Sequence, residues 1–143
     1  MHIQFIAGML LTVLGTSLLA PAASAQNAGK CEAFLAMLSR NDAKRDIDPA
    51  ELAKHPLGSA GNPVRAEMPY GERAYLAQLV CANGTRPSDV ARVGSMGTGP
   101  DGHILDAYTA KCTGKPALIY MDMYHCGYAE RAAPPGFRMQ SKR

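Results

Sequence analysis

The sequence predicts a small α+β domain: one or two N-terminal helices packed on an antiparallel sheet of about five strands, braced by two disulfides. Three observations predict it. Apolar residues recur at helical spacing from Cys31 to Leu38, then switch to a two-residue alternation after Pro63. Turn segments rich in glycine and proline punctuate the second half of the chain. The four cysteines, Cys31, Cys81, Cys112 and Cys126, all lie beyond a segment that reads as an export signal, an even count suited to an oxidising compartment.

The export signal comes first in the chain. Residues 5–19 are dominated by Ile, Leu, Val, Met and Ala, and no Lys, Arg, Asp or Glu occurs through Ala25. Pro21 and the small residues Ala22, Ala23, Ser24 and Ala25 follow. The A-x-A pattern of Ala23 and Ala25 places the expected cut before Gln26. His2 stands where the start of a signal usually carries Lys or Arg. The apolar run is short for a membrane span and is diluted by Gly8, Gly15, Thr16 and Ser17, so no stable membrane anchor is expected. Lys30 precedes the first cysteine, where a lipoprotein signal needs a small residue. The expected division is a signal peptide at 1–25, one exported domain at 26–137, and a basic, mobile tail at 138–143.

The net charge of +3 belongs wholly to the exported part, and much of the excess sits in Arg138, Lys142 and Arg143. No stripe of Lys and Arg interleaves with aromatics, which argues against nucleic acid as a partner.

The elements follow in order. Residues 26–30 read as a polar lead. Cys31, Phe34, Leu35 and Leu38 form the stripe of a first helix, which should fade in the polar connector at 41–46. A second helix has a strong start: Asp48 as N-cap, Pro49 in the first turn, Glu51 to complete a capping box, and Ile47 with Leu52 as a staple. It ends before His55 and Pro56. Val64, Ala66 and Met68 alternate with Arg65 and Glu67 as a first strand. Residues 69–72 read as a turn and 73–82 as a second strand, with a helix as the open alternative, since residues 72–79 contain good helix formers. Asn83 and Gly84 mark a turn. Residues 90–96 form a third, weaker strand ahead of a glycine-rich connection at 94–102. The last two strands, 104–112 and 118–126, flank a hairpin-length turn at 113–117.

Four cysteines allow three pairings. Strand order favours Cys81 with Cys112, at the ends of the second and fourth strands, and Cys31 with Cys126 as a helix-to-sheet staple. Each closure would stabilise by roughly 3–5 kcal/mol in the loop-entropy account. Zinc ligation by these thiols is disfavoured, because no two share a C-x-x-C spacing.

Several segments resemble a family of small exported proteobacterial proteins. They are His55-Pro56-Leu57-Gly58, Asn62-Pro63-Val64-Arg65-Ala66-Glu67-Met68-Pro69, Gly71-Glu72-Arg73-Ala74-Tyr75-Leu76, Arg92-Val93-Gly94-Ser95-Met96-Gly97, Gly99-Pro100-Asp101-Gly102-His103-Ile104 and Tyr120-Met121-Asp122-Met123-Tyr124-His125. The resemblance covers most of residues 55–137. It implies export and this fold, and it carries no activity. Cys81 and Cys112 match the family's cysteine pair, whereas Cys31 and Cys126 look like additions.

The candidate chemistry lies in His103-x-x-Asp106 and Asp122-x-x-His125, the ingredients for general acid–base work or a metal site. Strand geometry argues against one four-ligand site, because residues three apart on a strand point to opposite faces. If Cys112 faces Leu118, Asp106 lies diagonal to Asp122 among tyrosines as a carboxylate pair; a one-residue slip would separate them. The plainer expectation is that each Asp simply accepts hydrogen bonds. Residues 94–102 lack the lysine and helix of a phosphate loop. Met121 and Met123 could offer thioethers to copper(I), or more simply line the core. No nucleophile motif, resident metal or cofactor is implied. The expected role is therefore a non-enzymatic envelope binding module for a protein, glycan or small molecule, contacted through loops at 58–62 and 97–103. The alternative is a small hydrolase or metal-binding protein using His103, Asp106, Asp122 and His125.

Overall fold

The computed structural model of the chain describes residues 23–38 and 47–141. The apolar run of the expected export signal, the connector at 41–46 and the last two residues lie outside them. The first helix, α1 (Ala23–Leu38), begins earlier than expected: residues 26–30 are its first turns rather than a polar lead. Alanines at 23, 25, 28, 33 and 36 favour the helix, and Pro21 stands just outside it. Cys31 is its buried contact, with Phe34 and Leu35 half-buried and Leu38 exposed. The short α2 (Pro49–Leu52) starts as the sequence indicates, with Asp48 Oδ1 accepting from the Ala50 N–H at 2.8 Å. Glu51 does not complete the capping box; its carboxylate pairs with Lys54.

In β1 (Val64–Glu67), Val64 and Ala66 face the core as the alternation predicts. The next segment overturns the favoured reading of a turn and a strand. Residues from Met68 form the helix α3 (Met68–Leu76), with Pro69 in its first turn and Glu72, Tyr75 and Leu76 as its buried stripe. Helical spacing of these three residues wins over the two-residue alternation of Tyr75, Ala77, Leu79 and Cys81. That alternation is realised only in β2 (Leu79–Cys81).

The third strand, β3 (Ser88–Thr98), is longer than expected and absorbs much of the glycine-rich segment. Its register against β4 (Ile104–Lys111) shifts three times. Gly94 (φ +150°) and Gly97 (φ +81°) lie within this irregular stretch. The turn proper is confined to residues 99–103, closed by Gly99 N–H to His103 O at 2.7 Å and Gly102 N–H to Gly99 O at 3.1 Å.

The expected strand at 118–126 is two strands. β5 (Ala117–Asp122) ends at Asp122, Met123 breaks the ladder, and β6 (Tyr124–Ala129) crosses to the far side of β1. β1 thus lies between them, parallel to β5 and antiparallel to β6. The five-stranded sheet has the order β3-β4-β5-β1-β6 and is mixed through this one parallel pair. A last strand, β7 (Phe137–Met139), pairs with β2, so Arg138 and Met139 belong to the fold rather than to a tail.

The core joins Val64, Ala66, Tyr75, Leu76, Leu79, Tyr108, Ala110, Ile119 and Met121. Both expected disulfides are present: Cys31–Cys126 ties α1 to β6, and Cys81–Cys112 ties β2 to the end of β4. With separations of 95 and 31 residues, loop entropy assigns about 5 and about 4 kcal/mol to them.

One charge-bearing group sits within this core. Glu72 is wholly buried, and one of its oxygens accepts from the Tyr108 hydroxyl at 2.8 Å while the other has no partner. Burial pushes its carboxyl from 4.5 up to about 7; the Tyr108 hydrogen bond opposes the rise, Asp106 adds to it, and Arg92 and Arg73 reduce it. A carboxyl raised on folding stabilises fully below its unfolded value and loses that stability as pH climbs through the folded one. Wild-type protein should therefore lose up to about 3 kcal/mol between pH 4.5 and 8 from this group alone. Urea unfolding of Glu72→Gln should remove that part of the pH dependence; an identical slope in both proteins would disprove it.

Candidate functional site

The β4–β5 register decides which acidic residues meet. Tyr108 faces Ile119 and Asp106 faces Met121, three residues from the register that would bring Asp106 diagonal to Asp122. An odd displacement exchanges faces, so the two carboxylates lie on opposite sides of the sheet. The expected carboxylate pair does not form. Asp106 is instead held by Arg92, at 2.7 Å from Nε and 2.6 Å from Nη2, and accepts from Ser95 Oγ at 3.2 Å. This bidentate pairing occupies both oxygens and leaves Asp106 outside any candidate site.

The other three residues converge, and Asp101 joins them. Asp122 closes β5, His125 lies on β6, and Asp101 and His103 come from the turn between β3 and β4. The rule separating residues three apart holds only along an unbroken strand. The break at Met123 turns the chain, so His125 comes back over Asp122. The Asp122 carboxylate stabilises that turn by accepting from the Tyr124 N–H at 3.0 Å. His103 precedes β4 and so escapes its alternation. One metal-binding atom from each of Asp101, His103, Asp122 and His125 lies within 4.8 Å of the others.

The closest separations are shorter. His103 Nδ1 is 2.9 Å from Asp122 Oδ2, and His125 Nε2 is 3.1 Å from the same oxygen and 3.2 Å from Asp101 Oδ2. His125 Nε2 is buried, yet neither oxygen is placed to accept a well-formed hydrogen bond from it. Asp122 is fully buried. Burial acts to raise its carboxyl, but the facing His125 imidazole, the Tyr124 N–H and His103 outweigh it and hold the group below the ordinary 3.8. It is an anion with two imidazole nitrogens around it.

Arg65 fixes the turn from behind. From β1, its guanidinium spans the Asp101 carboxylate, with Nε 3.0 Å from Oδ2 and Nη2 3.4 Å from Oδ1. Tyr124 and Tyr128 flank the imidazoles: the His103 and Tyr124 rings are 5.0 Å apart, and those of His125 and Tyr128 6.4 Å. The remaining candidates resolve into structural roles. Met121 is wholly buried in the core, so Met121 and Met123 form no open thioether face. The loop at 58–62 is a closed turn, with Gly58 N–H to Asn62 O at 2.8 Å, and it is tied to β5 by Tyr120 N–H to Gly58 O at 2.8 Å. The loop at 97–103 does supply site residues.

No protein-family profile matches the chain, and no curated protein or solved structure proved similar to it. The chemistry of the site rests on its own geometry.

The Arg65 bridge gives a direct stability test. Truncation leaves the buried Asp101 without its cation, and a charge-assisted hydrogen-bonded pair contributes about 2 kcal/mol. Arg65→Ala should lower the unfolding free energy of metal-free protein by about that amount, measured in urea. An unchanged midpoint would show that the pair does not hold the turn.

Proposed function

We propose that the protein is exported and works as a binding module for a divalent transition metal, zinc being the best fit, held by Asp101, His103, Asp122 and His125. The observation that carries this reading is the convergence of two imidazoles and two carboxylates on one point. Zinc takes nitrogen and carboxylate ligands at about 2.0–2.2 Å in a tetrahedron, whose edges are then about 3.3–3.6 Å. Three of the six separations, 2.9, 3.1 and 3.2 Å, fall just short of such edges, and all six lie within 4.8 Å. Small outward movements would open the cluster to the ion. Two aspartates neutralise the dication, and the donor set suits zinc, cobalt or nickel better than the thiophilic copper(I).

Four protein ligands close a tetrahedral site, and a closed site binds without turning over. This favours the passive role over the hydrolase. One observation supports the other reading: Arg65 already engages Asp101. If Asp101 stays with Arg65, His103, Asp122 and His125 leave a fourth position for water, the arrangement of a catalytic zinc. Export is supported by the apolar leader with its A-x-A pattern and by two disulfides.

Zinc titration against a chromophoric chelator, with native mass spectrometry, tests the assignment. One zinc per chain is expected. His103→Ala and Asp122→Asn should weaken it by more than the roughly 10–100-fold of an outer-sphere change, and Asp106→Asn should leave it unaltered. Loss of zinc with Asp106→Asn but retention with Asp122→Asn would sink the reading.

A further inference from the structure

We infer that the Cys31–Cys126 disulfide is a redox control on the metal site, which rests on the assignment of that site to a divalent metal. Cys126 directly follows the ligand His125 on β6. β6 is an edge strand: its one strand partner is β1, at Ala66 with Ala129 and Glu67 with Tyr124 with a register shift between them, and it packs also on α3. It is also in contact with α1, and the disulfide is the covalent anchor of that contact. Cys31 is the one fully buried residue among the α1 side chains described. Phe34 and Leu35 beside it are only half-buried, and Met37 and Leu38 at the helix end are exposed.

The other ligands do not depend on this anchor. Asp122 ends β5, which is paired on both sides, and Asp101 and His103 sit in a turn closed on itself and braced by Arg65. The Cys81–Cys112 bond secures β2 to the end of β4, at the opposite end of that strand from His103. Reduction of Cys31–Cys126 thus loosens one ligand selectively. A dithiol reductant attacks one sulfur, the sulfur–sulfur bond breaks, and a mixed disulfide forms. The reductant's second thiol then closes its own disulfide. Two electrons and two protons pass to Cys31 and Cys126, which become thiols. With α1 free, β6 keeps its pairing with β1 and its packing on α3, but the segment beside Cys126 loses its anchor and His125 leaves the zinc. The site is full in an oxidising compartment and empties on reduction.

Zinc affinity of the oxidised full chain is compared with that of Cys31→Ser/Cys126→Ser and Cys81→Ser/Cys112→Ser, using zinc ion and a competing chelator. At least about tenfold weaker binding is expected for the first pair, the scale of a perturbed ligand support, and a smaller loss for the second. Hydrogen exchange followed by mass spectrometry checks the mechanism: β6 should lose protection in the first variant while β4 and β5 keep theirs. Equal zinc affinity in oxidised chain and Cys31→Ser/Cys126→Ser overturns the redox coupling but leaves the metal site standing. Loss of protection across β4 and β5 also overturns it, since the effect is then general unfolding. Absence of zinc binding by the oxidised chain removes the metal assignment itself.

Discussion

The break in the chain at Met123 is the constraint on which the rest depends. The Met123 carbonyl accepts from the Met68 N–H at 2.7 Å, just where β1 hands over to α3. The Asp122 carboxylate accepts from the Tyr124 N–H across the same turn. β5 therefore cannot continue, and β1 enters between it and β6. That entry makes the sheet mixed, moves β6 to the far edge, and turns two residues three apart toward each other. The polar group that stabilises the turn is the same carboxylate that anchors the site. Fold and site thus share one side chain.

The two faces of β4 divide the polar residues of the domain. On the side packed by α3, Tyr108 supports the buried Glu72, and Arg92 closes over Asp106. These groups are paired within the core or at its edge. At the other, around the start of β4, the carboxylates of Asp101 and Asp122 meet the imidazoles of His103, whose Nδ1 bonds to Asp122, and His125, whose buried Nε2 lacks a well-aligned partner. Glu72 leaves one oxygen unpaired on the first side, but only the second brings an unpaired nitrogen together with carboxylates.

Much of the fold was legible because local signals were unambiguous. The Asp48 cap, the hairpin turn at 113–117 and the inward positions of Val64 and Ala66 follow from chemistry within a few residues. The disulfide pairing followed from element order, and it survived the rearrangement of β6 because Cys126 remains on an element facing α1. The sequence leaves strand and helix both open at residues 73–82 because they satisfy both periods, and burial of Glu72 with Tyr75 and Leu76 settles the choice for α3. The register of β4 and β5 depends on tertiary packing, so Asp106 was placed with the wrong partners. Asp101 carries no ligand signal of its own in the sequence, although it stands two residues before His103. A tight turn at 99–103 can aim both side chains the same way, and the Gly-Pro-Asp-Gly run was the available signal.

The central claim is that the turn at Met123 assembles a two-imidazole, two-carboxylate metal site. X-ray absorption at the zinc edge of the oxidised, zinc-loaded chain tests it most directly. The account predicts four nitrogen and oxygen neighbours at about 2.0–2.1 Å, with the outer-shell scattering of two imidazoles. A sulfur shell at about 2.3 Å, or a six-oxygen shell without imidazole scattering, would contradict it.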